Sequence, residues 1–138
     1  MRLHILARGR IGRGPEAELV TRYEKRLRGD LMVTELGEQT PWPAPPPASR
    51  TIVLDERGRD LTSAELAATL GRWRDDGVRE MRLLLGAADG HEEATRAGAD
   101  LLWAMGRATW PHLLARAMLA EQLYRAVTIL EGHPYHRE

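Results

Sequence analysis

Leu83-Leu84-Leu85-Gly86-Ala87-Ala88-Asp89-Gly90 is an apolar run that breaks into a loop bracketed by glycines. Met81 to Leu85 reads as a continuous apolar strand, the pattern of a strand buried on both faces in the middle of a parallel sheet. A loop leaving such a strand lies at its carboxyl end, where open α/β sheets bind ligands. Glycines there allow φ > 0 and let a ligand approach the backbone amides closely. Taken alone, the loop also fits an ordinary strand-to-helix turn.

The flanking segments alternate between strand and helix patterns. Leu3 to Ala7 reads as a short buried strand, and Arg8 to Gly14 as an arginine-studded loop. Pro15 suits a first helical turn, and the spacing predicts a helix to about Arg28 with Leu19, Val20, Tyr23 and Leu27 on one face. Leu31 to Leu36 and Thr51 to Leu54 are the next strands, separated by Thr40 to Ser49, which holds five of the eight prolines and reads as an extended loop. Thr62-Ser63-Ala64-Glu65 has capping-box spacing and opens a helix through about Asp75. Glu92 to about Asp100 reads as helical, and Leu101 to Thr109 as a short strand or extended segment. Pro111 sits at the first turn of a final helix that ends near Glu131, with Gly132 just past its end. This alternation predicts an α/β fold, a single domain over residues 1–138 with a mostly parallel sheet and helices on both faces.

The chain has 138 residues, enough to bury roughly two-thirds of its unfolded surface. It has no secretory n-region and no apolar run of the ~18–20 residues that span a bilayer, and so predicts a cytoplasmic protein without membrane contact. Zero cysteines exclude disulfides and cysteine-ligated zinc. Twenty basic and twenty acidic residues give net charge zero, which argues against indiscriminate polyanion binding. A neutral chain can still carry one basic face. His91-Glu92-Glu93 lacks the His-Glu-x-x-His spacing and has Arg96 where a ligand is needed, so no metal is expected. Gly9 to Gly14 fits neither nucleotide fingerprint, but Arg8, Arg10 and Arg13 are candidate phosphate contacts to RNA.

The last seven residues, Gly132-His133-Pro134-Tyr135-His136-Arg137-Glu138, concentrate imidazole, phenol and guanidinium groups directly after an apolar helix. Such groups accept protons, stack on bases and bind phosphate, although a short polar cluster at a chain end can equally be a solvated tail. Upstream lie Leu119-Ala120-Glu121-Gln122-Leu123-Tyr124-Arg125-Ala126, Thr109-Trp110-Pro111-His112 and Val53-Leu54-Asp55-Glu56-Arg57-Gly58. With the glycine loop and the tail, this ordered set resembles the SPOUT-class methyltransferases that methylate N3 of a pseudouridine in bacterial large-subunit (23S) ribosomal RNA.

That resemblance runs from the first strand to the last residue. It implies a C-terminal trefoil knot, which ordinary topology rules would not suggest. It implies S-adenosylmethionine as cofactor, held by Leu54, by Gly86 and Gly90 of the first loop, and by Met105, Gly106, Arg107, Ala108, Thr109 and Trp110 of a second. The family's usual first loop is Gly-Gly-Pro-Glu-Gly, so Ala87 and Ala88 are departures. A homodimer built through the final helix is implied too, each active site being completed by the other subunit.

The catalytic set implied by the tail is His136, Tyr135, Arg125, His133 and Arg137. His136 is the first candidate for removing the N3 proton. Tyr135 would stack on the base or hydrogen-bond it, and Arg125, Arg137 and His133 would orient carbonyls and phosphates. Two rival readings remain: a fold-preserving, catalytically degenerate RNA- or ribosome-binding relative, motivated by the altered loop, and a small monomeric nucleotide-binding module that leaves the tail without a role.

Overall fold

The computed structural model describes residues 1–86 and 90–137, with the main chain alone at Arg137. Ala87, Ala88 and Asp89, where the expected loop departures fall, and Glu138 lie outside the described residues. Five strands, β1 (Arg2–Arg8), β2 (Leu31–Leu36), β3 (Ser49–Asp60), β4 (Glu80–Leu85) and β5 (Leu101–Ala104), form one sheet in the order β2-β1-β4-β3-β5. Every pairing is parallel. Three helices connect them, α1 (Pro15–Arg26), α2 (Ser63–Asp75) and α3 (Glu93–Ala97), and α4 (His112–Glu131) follows β5, ahead of a 3-10 turn, Pro134–Arg137.

β4 lies at the centre, buried on both faces as its apolar run predicts. Side chains alternate along a strand, and the two faces are covered differently. Leu3, Ile5, Ile52, Leu54, Met81, Leu83 and Leu85 pack against α1, α2 and α4 in the main core. Leu6, Val53 and Leu84 point the other way, under Trp42 of the proline-rich segment, Ala99 and Leu102. On that second face the cover comes from Ala99, just after α3, and from the proline-rich segment, whose residues around Trp42 lie over the sheet. Arg82 holds them there. Its buried guanidinium donates to the Pro43 carbonyl at 2.6 Å and to Thr51 Oγ1. Arg8 stacks on Trp42 and donates to the carbonyls of Gly37 and Thr40.

Several boundaries differ from the sequence expectation for identifiable reasons. α1 stops at Arg26, because Arg28 takes a left-handed φ of 55° and Gly29 one of 89°. α3 ends at Ala97, with Gly98 as its C-cap, short of Asp100. β5 ends at Ala104, and Pro111 precedes α4 as its cap residue. β3 is twelve residues long where four were expected. After pairing Leu54 with Trp103 it makes an excursion and returns, so that Arg59 faces Trp103 and Asp60 faces Ala104.

At that return Gly58 crosses directly over β5. A Cβ built on it would lie 2.5 Å from the Leu102 carbonyl carbon and the Trp103 nitrogen. Neither neighbour is a side chain that could turn away. Gly58→Ala should therefore lower stability by about 3 kcal/mol, visible as a thermal midpoint roughly 10 °C below wild type. A midpoint unchanged within error would mean that the crossing can open without loss.

One charge lies deep in the helix layer. Arg116 of α4 is 1% exposed and donates to Glu35 at the end of β2 and to the carbonyls of Arg8 and Gly9. Glu35 also accepts from the Ile11 amide at 2.7 Å. Burial alone would raise the Glu35 pKa, but the Ile11 amide and Arg116 outweigh it and hold it below the ordinary value. A carboxylate depressed in this way contributes stability above its unfolded pKa and loses it as pH falls through the folded value. Glu35→Ala should cost about 2 kcal/mol at neutral pH, less than the ~3–5 of a fully buried pair because Glu35 is 38% exposed. Denaturant melts should show the gap between the variant and wild type closing as pH drops below the usual carboxylate range. A gap that stays constant would rule the ion pair out as its source.

Candidate active site

At the carboxyl edge of the sheet, the ends of β3, β4 and β5 and the start of α4 enclose a cleft of about 680 Å³. Its walls are apolar at Leu54, Leu85, Trp103 and Ala115, and backbone-rich at Gly86, Gly90 and Gly106. Size and lining suit a small ligand with an aromatic portion and a few polar groups. The cleft takes in Leu54, Gly86, Gly90, Met105, Gly106, Ala108, Thr109 and Trp110 of the expected cofactor set. Arg107 is the exception: it is exposed and does not line the cleft.

The second loop is held open by specific bonds. The Gly106 amide donates to Asp60 Oδ1 at 3.1 Å, so the returning end of β3 positions it. The Trp110 indole donates to the Met105 carbonyl at 2.9 Å and closes the loop on itself. Trp110 remains 43% exposed, on the cleft's outer lip. Gly106 takes φ 83°, a left-handed value natural to glycine.

The polar wall was not anticipated from the sequence. Asp55 is paired with Arg96 at 3.6 Å, and Arg96 also bonds Glu93 and the His91 carbonyl. His91 stacks near Trp42 and lies against Gly86, where an added Cβ would meet its ring at 3.2 Å. Burial lowers the His91 pKa, with the nearby Asp55 charge opposing, so the ring is neutral at physiological pH. The signal for these residues is position: Asp55 is the first residue of β3 past its pairing with β4, and His91 and Arg96 follow β4; in the sequence the His91-Glu92-Glu93 cluster bears only on a metal site, which its spacing sets aside. Among the described residues no group of three ligating side chains could hold one.

The C-terminal cluster occupies a different place. Tyr135 packs edge-on against Tyr124, with ring centroids 4.7 Å apart, and its hydroxyl bonds Tyr23 at 3.3 Å and Glu121 at 3.2 Å. Arg125 pairs with Glu121 at 2.7 Å and lies over the Tyr135 ring. The Tyr135 amide donates to His133 Nδ1 at 3.2 Å, and His136 Nδ1 lies 2.7 Å from the His133 carbonyl. Burial, then the bond to Tyr23 and the Glu121 charge, push the Tyr135 phenol far up, so it stays protonated. None of these residues lines the cleft within the same chain.

A family model described as "Predicted SPOUT methyltransferase" matches residues 1–136. The chain belongs to the SPOUT methyltransferase family. A protein of Novosphingobium aromaticivorans named ribosomal RNA large subunit methyltransferase H is 67% identical over 141 residues, covering 100% of this chain and 99% of the relative. Proteins of the same name from Erythrobacter litoralis and Zymomonas mobilis are 64% and 57% identical, again over 99% of their lengths and at least 99% of this chain. Among solved structures, the SpoU methyltransferase AviRb of Streptomyces viridochromogenes superposes with a TM-score of 0.54 over 96% of this chain and 61% of its own. At 13% identity that likeness concerns the fold alone.

A second cleft of this SPOUT domain, about 490 Å³, adjoins the first and shares Trp103, Met105 and Gly106 with it. Leu19, Leu114, Ala117 and Met118 make it apolar, and Tyr23 and Glu121 link it to the tail. The tail is thus no loose end: Tyr135 packs against the main core, against the alternative of a solvated tail. Deleting residues 135–138 should lower stability by about 1–2 kcal/mol, the worth of the Tyr135 contacts, and shift the thermal midpoint measurably. An unchanged midpoint would return the tail to a purely solvated role.

Proposed function

We propose that this chain is an S-adenosylmethionine-dependent methyltransferase acting on N3 of a pseudouridine in large-subunit (23S) ribosomal RNA, as one SPOUT domain spanning residues 1–138. The observation that carries the reading is the cleft between two glycine-bearing loops at the carboxyl edge of a SPOUT sheet, in a chain that also ends in His-Pro-Tyr-His-Arg-Glu. The cleft fits the cofactor chemically: Leu54, Leu85 and Ala115 offer walls for a nucleoside, Gly86, Gly90 and Gly106 offer close backbone, and Asp55, Arg57 and Arg96 face charged ends. When bound, the cofactor supplies a methyl group already activated on a sulfonium. The protein's share is to align the base and remove its N3 proton.

The tail carries groups suited to the second task. A carbonyl can only accept, so the His136–His133 contact places the proton of neutral His136 on Nδ1 and leaves Nε2 free to take one. Tyr135, kept protonated, can donate to a uracil carbonyl or stack on the ring. Arg125, His133 and Arg137 are assigned the carbonyls and neighbouring phosphates. The tail lies beside the apolar cleft rather than the cofactor cleft of its own chain, which supports action across a homodimer. A two-fold partner seated over Leu19, Leu114 and Met118 meets the same patch on itself. Because that patch borders both the tail and the second loop, the pairing would bring each tail toward the other copy's cofactor cleft.

Mass spectrometry of ribosomal RNA after incubation with enzyme and cofactor tests the reading. Ribosomes carrying the pseudouridine should gain one methyl group, and ribosomes from cells lacking the relevant pseudouridine synthase should be poor substrates. His136→Ala should slow transfer by ~10²–10⁴ while leaving cofactor binding by calorimetry unchanged. Equal rates on both ribosome types would remove the pseudouridine assignment, and a fully active His136→Ala would remove His136 as base.

A further inference from the structure

We infer that the exposed face of α1 is the docking groove for the phosphate backbone of the RNA substrate; the inference rests on the ribosomal RNA reading above. A shallow groove of about 620 Å³ runs along this helix. Its rim carries Arg13, Arg22, Lys25 and Arg26, its floor includes the small side chains of Ala17 and Thr21, and its only acidic lining residue is Glu18. In a chain of net charge zero, this is a local excess of cations. The excess is also uncompensated. Among the described residues Arg13, Arg22, Lys25 and Arg26 form no ion pair, whereas Arg96, Arg116 and Arg125 are each engaged by a carboxylate. Arg22 stands one helical turn from both Lys25 and Arg26, with Cβ spacings of about 5–6 Å to each, and all three line the same groove.

A cluster of unpaired cations over a small-residue floor suits a polyphosphate strand. The groove also leads somewhere. Arg26, at its end, sits 5.6 Å from the Tyr23 and Tyr124 rings and 5.9 Å from that of Tyr135. A strand lying in the groove is delivered directly to the tail cluster, with arginine and aromatic faces at the junction where a base could leave the stack. The arginines first suggested for this role divide differently. Arg8 is committed to Trp42 and two carbonyls, while Arg13 joins the groove.

The test uses Arg13→Gln, Arg22→Gln and Lys25→Gln combined, leaving Arg26 untouched because it contacts the tail. Binding to isolated large ribosomal subunits and to purified large-subunit RNA is measured from about 50 to 200 mM salt. The triple variant should bind both at least about tenfold more weakly at the low end. Its log–log salt slope should be smaller than that of wild type by about 2, near 0.7–0.9 per lost phosphate contact. Thermal midpoint and cofactor affinity should stay as in wild type, and Lys25→Arg should restore one contact's share of the slope. Wild-type affinity and slope in the triple variant, with wild type methylating normally, would overturn the groove and leave the enzymatic reading standing. Weakened binding to subunits but not to purified RNA would assign the face to an acidic protein partner and overturn it as well. A wild-type protein that fails to methylate, yet binds RNA with a slope the triple variant loses, would overturn the enzymatic reading and keep the groove.

Discussion

The buried guanidinium of Arg116 is the contact on which the rest of the arrangement depends. α4 is apolar around most of its circumference, with Leu119, Leu123 and Ala126 fully buried and Leu114 and Met118 half-exposed on another side. Apolar contacts alone are weakly directional, and a helix of this kind could rotate or slide with little penalty. Arg116 cannot. Displaced by one residue, it would leave a charge in the interior and strip Glu35 and the carbonyls of Arg8 and Gly9 of their donor. The ion pair therefore sets the register of α4 against the sheet. That register determines which residues reach the cleft at the sheet's carboxyl edge, His112 and Ala115, and which reach the tail at the other end, Tyr124 and Arg125.

Local signals in the sequence were legible where short-range chemistry governs. The Thr62–Glu65 capping box forms as its spacing predicts, with both reciprocal bonds at 3.0 Å, and Gly132 ends α4 in a left-handed conformation, φ 72°. β4 was legible because burial on both faces leaves an apolar run. What escaped were features set by distant partners. Arg82 breaks the apolar run of β4, yet it is buried, because Thr51 and the Pro43 carbonyl satisfy it across the sheet. The return of β3 at Arg59 and Asp60 is polar and solvent-facing in sequence, and only β5 makes it a strand. The same holds for the site. The glycines and Trp110 could be picked out only through the family resemblance, and Asp55, His91 and Arg96 come together only after folding.

The crossing at Gly58 and the loop at Gly106 are two consequences of one geometry. β3 must pass close enough to β5 for Asp60 to reach the Gly106 amide, and that closeness is possible only where a residue lacks a side chain. The second wall of the cleft is thus positioned by the backbone of an element whose first half supplies Leu54 to the opposite wall. A ligand in the cleft meets the middle of β3 directly, at Leu54 to Arg57, and the end of that strand only through the Gly106 loop that Asp60 holds. Cleft shape is accordingly tied to the crossing, and rigid elements hold the site more exactly than free loops could.

α4 also separates two kinds of chemistry that a methyl transfer must unite. Ala115 and Tyr124 are about 13 Å apart along the helix rise, and the tail folds back only as far as Glu121. A single copy therefore keeps the tail cluster, proposed above as the proton acceptor, away from its own cleft. The apolar hollow between them, lined by Leu114, Ala117 and Met118, borders both regions. Two-fold pairing through such a hollow has a geometric consequence: what lies on one side of the patch in the first copy meets what lies on the other side in the second. In the proposed homodimer the separation within one chain becomes the means of joining tail to cleft between chains, and assembly of the pair is a condition for the proposed chemistry rather than an addition to it.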